Sequence, residues 1–139
     1  MGDCRKDVIL AIDPGKAKCG IAVVMESGEV RELAIAARED LPRTVTDLLA
    51  RVTPSAILVG DRTGSDEVMA EIAGLNPPVA PQAVPEHNTT LKARERYFAD
   101  HPARGWRRLI PRGLLLPPRP VDDYAALVIA EDWLAQSEQ

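Results

Sequence analysis

Asp13 closes an apolar run at residues 8–12 and is followed by Pro14, Gly15 and, five residues further on, Gly20. A carboxylate beside buried aliphatic side chains is costly unless something positive binds it. Glycine serves where backbone turns sharply or passes close to a phosphate. A plain β-hairpin with a capping Asp accounts for the same stretch. Two later features add weight to the chemical reading: Glu86 follows a short apolar segment, and Asp122 and Asp123 open a terminal apolar helix. Acidic residues at the ends of elements that one sheet draws together form an oxygen-only cage, which suits Mg²⁺ or Mn²⁺ and not zinc. Two such ions about 4 Å apart activate a water and stabilise the leaving oxygen of a phosphodiester. Each acid also has a plainer account. Glu86 fits a solvated loop, and one of Asp122 and Asp123 fits a residue that merely complements a helix dipole.

The elements that must position these residues follow from apolar spacing. Residues 8–12 form a short continuous run rich in β-branched side chains, the pattern of a central strand covered on both faces. Residues 21–25 read as a second strand, which the Glu-Ser-Gly-Glu turn at 26–29 folds back into a third over 30–36. Leu41, Val45, Leu48, Leu49 and Val52 give a helix, with Asp40 and Pro42 in its first turn and Pro54 closing it. Residues 56–60 form a fourth strand. A second helix runs from about Ser65, with Gly74 near its end. The prolines around 81–84 confine a fifth strand to an edge or a short piece. A third helix leads from the Asn88-Thr89-Thr90 cap region towards Asp100. Residues 101–120 lack periodicity and read as a long basic loop, and the helix from Asp122 to about Ala135 is apolar enough to be buried. This order predicts an α/β domain over 1–139 with a mixed five-stranded sheet, three antiparallel strands and then parallel crossovers, with helices on both faces.

Composition bounds the rest. At 139 residues the chain is one ordinary domain, and with aromatics at 4% its core must be built from aliphatic side chains. Cys4 and Cys19 match no zinc spacing and are too few for a disulfide framework, which predicts free thiols in a reducing cytosol. The residues ahead of the first strand are short and polar, with no signal peptide or membrane span, so a cytoplasmic location is expected. The net charge is −4, but residues 92–119 hold eight Lys or Arg against Glu95 and Asp100, a local +6 that leaves −10 for the remainder. Arg104, Arg107, Arg108, Arg112 and Arg119 carry most of this basic segment. A basic face beside an acidic pocket is the footprint of a protein that holds polyphosphate near metal-binding carboxylates; a solvated helix end and loop is the plainer account.

The Ile-Asp-Pro-Gly-Lys-Ala-Lys-Cys-Gly-Ile-Ala-Val-Val hairpin, the segment from Pro85 to Arg94 and the terminal helix from Val121, in this order and at this length, resemble the YqgF/RuvX family. Those proteins are relatives of the RuvC Holliday junction resolvases within the ribonuclease H-like superfamily. The resemblance implies a ribonuclease H-like fold and a metal-dependent nuclease in which Asp13, Glu86 and Asp122 are the catalytic metal ligands. Asp123 is the reserve candidate. Asp61, at the end of the fourth strand where RuvC enzymes place a further acid, is a candidate fourth ligand. The chain departs from the family in three places. It has Pro85-Glu86-His87 for an Asp-Glu-Arg triplet, Gly60-Asp61-Arg62 for a Gly-Leu-Pro motif, and a proline after Asp13.

The implied partners are structured nucleic acid, either branched DNA or the precursor of the small-subunit ribosomal RNA, and a second copy of the chain, since a four-way junction needs two symmetric cuts. The loop arginines would grip phosphates without reading bases. Two other classes stand beside this one. A silent nucleic-acid-binding module would keep the fold without the chemistry. An actin-like ATP-binding protein uses a similar Asp-x-Gly hairpin but needs two such domains.

Overall fold

The computed structural model describes residues 8–61, 64–85, 89–102, 109 and 122–137, the side chains of 89–91 and 137 aside. Glu86, Arg104, Arg107, Arg108, Arg112 and Arg119 lie outside the described residues.

Strand β1 (Val8–Asp13) is buried along its whole length, as its unbroken apolar run requires. It turns through residues 14–17 into β2 (Lys18–Met25), which the turn at Gly28, with φ of 99°, returns as β3 (Val30–Ala37). A positive φ there is open only to a residue without a side-chain clash, and glycine meets it at no cost. A 3₁₀ turn at Arg38–Asp40 leads into α1 (Leu41–Arg51), then β4 (Pro54–Gly60), α2 (Ser65–Ala73), β5 (Pro81–Val84), α3 (Thr89–Asp100) and α4 (Asp122–Ser137). The strand order is β3-β2-β1-β4-β5, with β1–β2 and β2–β3 antiparallel and β1–β4 and β4–β5 parallel. The expected mixed sheet with helices on both faces is the one observed.

Alternation along the strands separates two cores. Val8, Leu10, Ile12, Ile21, Val23, Ile57 and Val59 pack with Leu41, Val45 and Leu48 of α1 and Val68 and Ile72 of α2. Ile9, Ala11, Ala22, Val24, Ala56 and Leu58 face α3 and α4. On that second face the strands offer Ala11, Gly20 and Ala22 and the helix offers Ala125, Ala126 and Ala130. Small side chains on both sides let α4 lie close against β1 and β2.

Several boundaries differ from the sequence expectation. Strand β2 begins at Lys18, three residues earlier than its apolar run, because pairing with β3 continues through Lys18↔Ala37 and Gly20↔Ile35. Pro54 begins β4, a position at which a strand tolerates a missing N–H. Asp40 makes no side-chain cap; its carbonyl accepts the Thr44 hydroxyl instead. After α2, Gly74 keeps a right-handed φ of −68°, and Asn76 takes the left-handed conformation at 55°. No helix among the described residues is long and apolar enough to cross a membrane.

Candidate functional site

Asp13 ends β1 on the α4 face. Its strand alternates, so that Ile9 and Ala11 face α4 and the next residue in that series is Asp13. It is 4% exposed, with Oδ1 fully buried. The register of the hairpin pairs Asp13 with Gly20. Gly20 leaves room for α4 because it has no side chain: a Cβ there would overlap the Asp122 carbonyl group and stand 2.9 Å from the Asp123 amide nitrogen. The main chain of the first turn of α4 therefore occupies the space beside Gly20, the cross-strand neighbour of Asp13. Gly15 has a parallel role in the turn, where a Cβ would overlap the Lys18 carbonyl oxygen. The close approach that the glycines permit is thus chain against chain: helix against strand at Gly20, and the turn against itself at Gly15.

The two acids that open α4 differ. Asp122 is one-third exposed, and its Oδ2 lies 3.9 Å from the Lys18 ammonium. Asp123 is buried at 6%, and its Oδ1 accepts the Tyr124 N–H at 2.9 Å. A carboxylate that accepts a first-turn amide satisfies one of the donors a helix leaves unpaired, which is a structural task.

The first turn of α4 is anchored further by α3. Tyr124 donates its hydroxyl to Asp100 at 3.0 Å and stands edge-on to Tyr97, whose ring also meets Phe98 edge-on and stacks on His101 at 4.5 Å. Three of the five Phe, Tyr and Trp residues in the chain are gathered here. Arg96 ties the same corner together, donating to Asp100 at 2.6 Å and to Glu131 of α4 at 3.1 Å. Desolvation acts to raise the Asp100 carboxyl, but the hydrogen bonds from Arg96 and Tyr124 outweigh it and hold the group below its ordinary value.

Asp61 follows β4 directly, is exposed, and donates its N–H to the Val84 carbonyl at 3.0 Å. That bond keeps the ends of β4 and β5 together at the edge where Asp13 lies, and Glu86 comes two residues after Val84. The first turn of α4, which carries Asp122 and Asp123, thus lies against the strand that pairs with Asp13, and Asp61 lies along the same edge. Among the described residues no group of three His, Cys, Asp or Glu converges closely enough to hold an ion unaided. The donors present suit a hard divalent cation in kind: they are carboxylate oxygens, and the one neighbouring thiol among the described residues, Cys19, faces the other core. Burial pushes that thiol up from its ordinary value, so it stays protonated and a poor ligand.

Lys18 has no place in the sequence expectation. It lies on the same face of β2 as Gly20 and Ala22 and brings a positive charge to the acidic corner. The signal that finds it is period two from Gly20, available once Asp13 and Gly20 are known to pair. An ion pair this long and this exposed is worth under about 1 kcal/mol, so its role is electrostatic and not structural.

No protein-family model and no curated protein matches the sequence. Solved structures that match its fold include two of RuvC. RuvC of T. thermophilus in complex with a Holliday junction substrate is 22% identical, with a TM-score of 0.60, over 94% of this chain and 95% of that one. A second Thermus thermophilus RuvC structure is 20% identical, with a TM-score of 0.54, over 88% and 90%. The order and directions of the strands, the helices on both faces and this likeness over nearly the full length together give the chain a RuvC-like fold of the ribonuclease H type.

Proposed function

We propose that the protein is a divalent-metal-dependent nuclease that hydrolyses phosphodiester bonds in structured nucleic acid, of the YqgF/RuvX kind. One observation carries the reading. Asp13 is paired with the glycine whose empty side-chain space admits the Asp122 main chain, so the start of α4, 109 residues further along the chain, passes beside the cross-strand neighbour of Asp13 at the carboxyl end of the central strand, which supports a shared site. Mixed α/β sheets offer their ligand sites at that edge. The solved structure with the higher TM-score contains a Holliday junction substrate, which supports a branched nucleic acid as partner.

In this reading Asp13, Glu86 and Asp122 would hold Mg²⁺ or Mn²⁺, with Asp61 as a further oxygen donor at the rim, while Asp123, buried and bonded to the Tyr124 amide, stays in reserve. The bound ion supplies an activated water and charge stabilisation at the leaving oxygen. The chain supplies a rigid mount. Asp13 is fixed by burial in β1, and Asp122 by the packing of α4 on Gly20 and by the Tyr124–Asp100 bond in the same turn. Arg104, Arg107, Arg108, Arg112 and Arg119 supply phosphate contacts that orient the polymer without reading its sequence. A homodimer would present two such sites to a four-way junction, and the enzyme would act in the cytoplasm on branched DNA or on precursor ribosomal RNA.

The test compares wild type with Asp13→Asn on a four-way DNA junction and a structured RNA, each in Mn²⁺ and in EDTA. Cleavage in Mn²⁺ that the substitution lowers by about 100-fold or more supports the enzyme. Binding by both proteins with cleavage by neither replaces it with a silent binding module, and ATP binding without cleavage replaces it with a nucleotide-binding protein.

A further inference from the structure

We propose that the Lys18 ammonium is a resident counter-ion of the Asp122 carboxylate, and that Lys18 and a divalent cation are alternative partners for it. The inference rests on the reading of Asp13 and Asp122 as ligands and adds a residue to it.

Three observations carry it. Lys18 begins β2 on the face that bears Gly20 and Ala22, so its stem rises towards the first turn of α4 and not towards the α1 and α2 side. Its Nζ stands 3.9 Å from Asp122 Oδ2, close enough for Coulombic attraction but beyond a good hydrogen bond. The two side chains are 46% and 33% exposed, so the ammonium can swing into water by rotation within its own stem while the strand stays paired to Ala37. Lys18 thereby offsets part of the repulsion in a corner that holds Asp13, Asp122 and Asp123. A cation with two charges on a compact centre interacts more strongly with the same carboxylate than one ammonium does, and displaces it. Lys18 then acts as a positioning residue: it offsets charge in the metal-free site and sets the concentration at which the ion enters.

The experiment measures Mn²⁺ binding by titration calorimetry, without nucleic acid, for the full chain and for Lys18→Met, Lys18→Arg and Asp122→Asn, with thermal melts of each in EDTA and in saturating Mn²⁺. Lys18→Met is expected to bind Mn²⁺ about fivefold more tightly than wild type. It should melt lower than wild type in EDTA, with the gap closing in Mn²⁺. Lys18→Arg, which keeps the charge, should stay near wild type. If Lys18→Met binds Mn²⁺ no more tightly than wild type while Asp122→Asn abolishes binding, Lys18 is no competitor and the metal site stands. If wild type and every variant fail to bind Mn²⁺ at millimolar concentration, the inference and the metal site fall together.

Discussion

Replacing Gly20 by Ala tests the geometry on which the site depends. The added Cβ would penetrate the Asp122 carbonyl group and approach the Asp123 nitrogen to 2.9 Å. These are backbone atoms, so no side-chain rotation relieves the overlap. The start of α4 would have to retreat by about 1 Å or more to restore ordinary contact. The helix is poorly placed to retreat, because Ala126, Leu127 and Ala130 are fully buried against the sheet. Overpacking of this kind costs about 1–3 kcal/mol, and separating α4 from β1 and β2 adds cavity cost. The lower entropy of the unfolded alanine chain returns about 0.5 kcal/mol or slightly more. A net loss of about 2 kcal/mol results, which lowers the melting temperature by about 6 °C for a chain of this size. Urea unfolding measures the first quantity and Mn²⁺ titration tracks the site, whose affinity should drop because Asp122 moves with the helix. Gly28→Ala is the control. Nothing lies within 4 Å of its added Cβ, and its φ of 99° imposes strain far from the acids, so stability should fall with Mn²⁺ affinity unchanged. A Gly20→Ala protein as stable as wild type with the same Mn²⁺ affinity would refute the contact between α4 and the Asp13 hairpin.

The adjacent acids of α4 should separate stability from binding. Asp123→Ala removes the acceptor of the Tyr124 N–H and should cost about 1 kcal/mol in urea while Mn²⁺ still binds, whereas Asp122→Ala should change stability by a few tenths and lose the ion. The reverse pattern would exchange their roles. Tyr124→Phe removes the hydroxyl donor to Asp100 and should cost about 1 kcal/mol at neutral pH, a figure already reduced for the partial exposure of that carboxylate. The Asp100 carboxyl is held below its ordinary value of 3.8, so its contribution is complete above that pH and is lost as the pH falls through the depressed value. The gap between Tyr124→Phe and wild type should therefore narrow below about pH 4, and urea midpoints measured from about pH 7 to 2.5 that stay parallel would contradict the assignment.

The sheet is readable in the sequence because burial on two faces leaves an unbroken apolar run in β1 and β4, while α1 and α4 carry their own spacings. The boundaries that differ each have their own cause. Lys18, Cys19 and Gly20 carry no apolar pattern, yet they pair, since hydrogen bonds between main chains are indifferent to side chains and continue as far as the neighbouring strand does. Pro54 looks like a terminator from the side of α1 and serves as the first residue of a strand. Gly74 has the composition of a left-handed cap, but the chain postpones that turn to Asn76, a choice set by how the segment packs and invisible in residue type alone.

The site is legible as a set of acids and illegible as an arrangement. Asp13 and Asp122 stand out by type, but what joins them is the length of the 14–17 turn, which sets the register that places Gly20 opposite Asp13. One residue more or fewer would shift every pairing, put a side chain opposite Asp13 and leave no space for the helix. By residue type alone Gly20 suggests an approach for a ligand's phosphate, because glycine records only that something comes close. In the folded chain it is the Asp122 main chain that comes close. Lys18 is silent in the sequence for the complementary reason: a lone lysine at a strand start has no signature until the strand face is known. The chemistry of this corner is thus set by main-chain geometry first, with the carboxylates and the ammonium carried into place by a hairpin register and one absent methyl group.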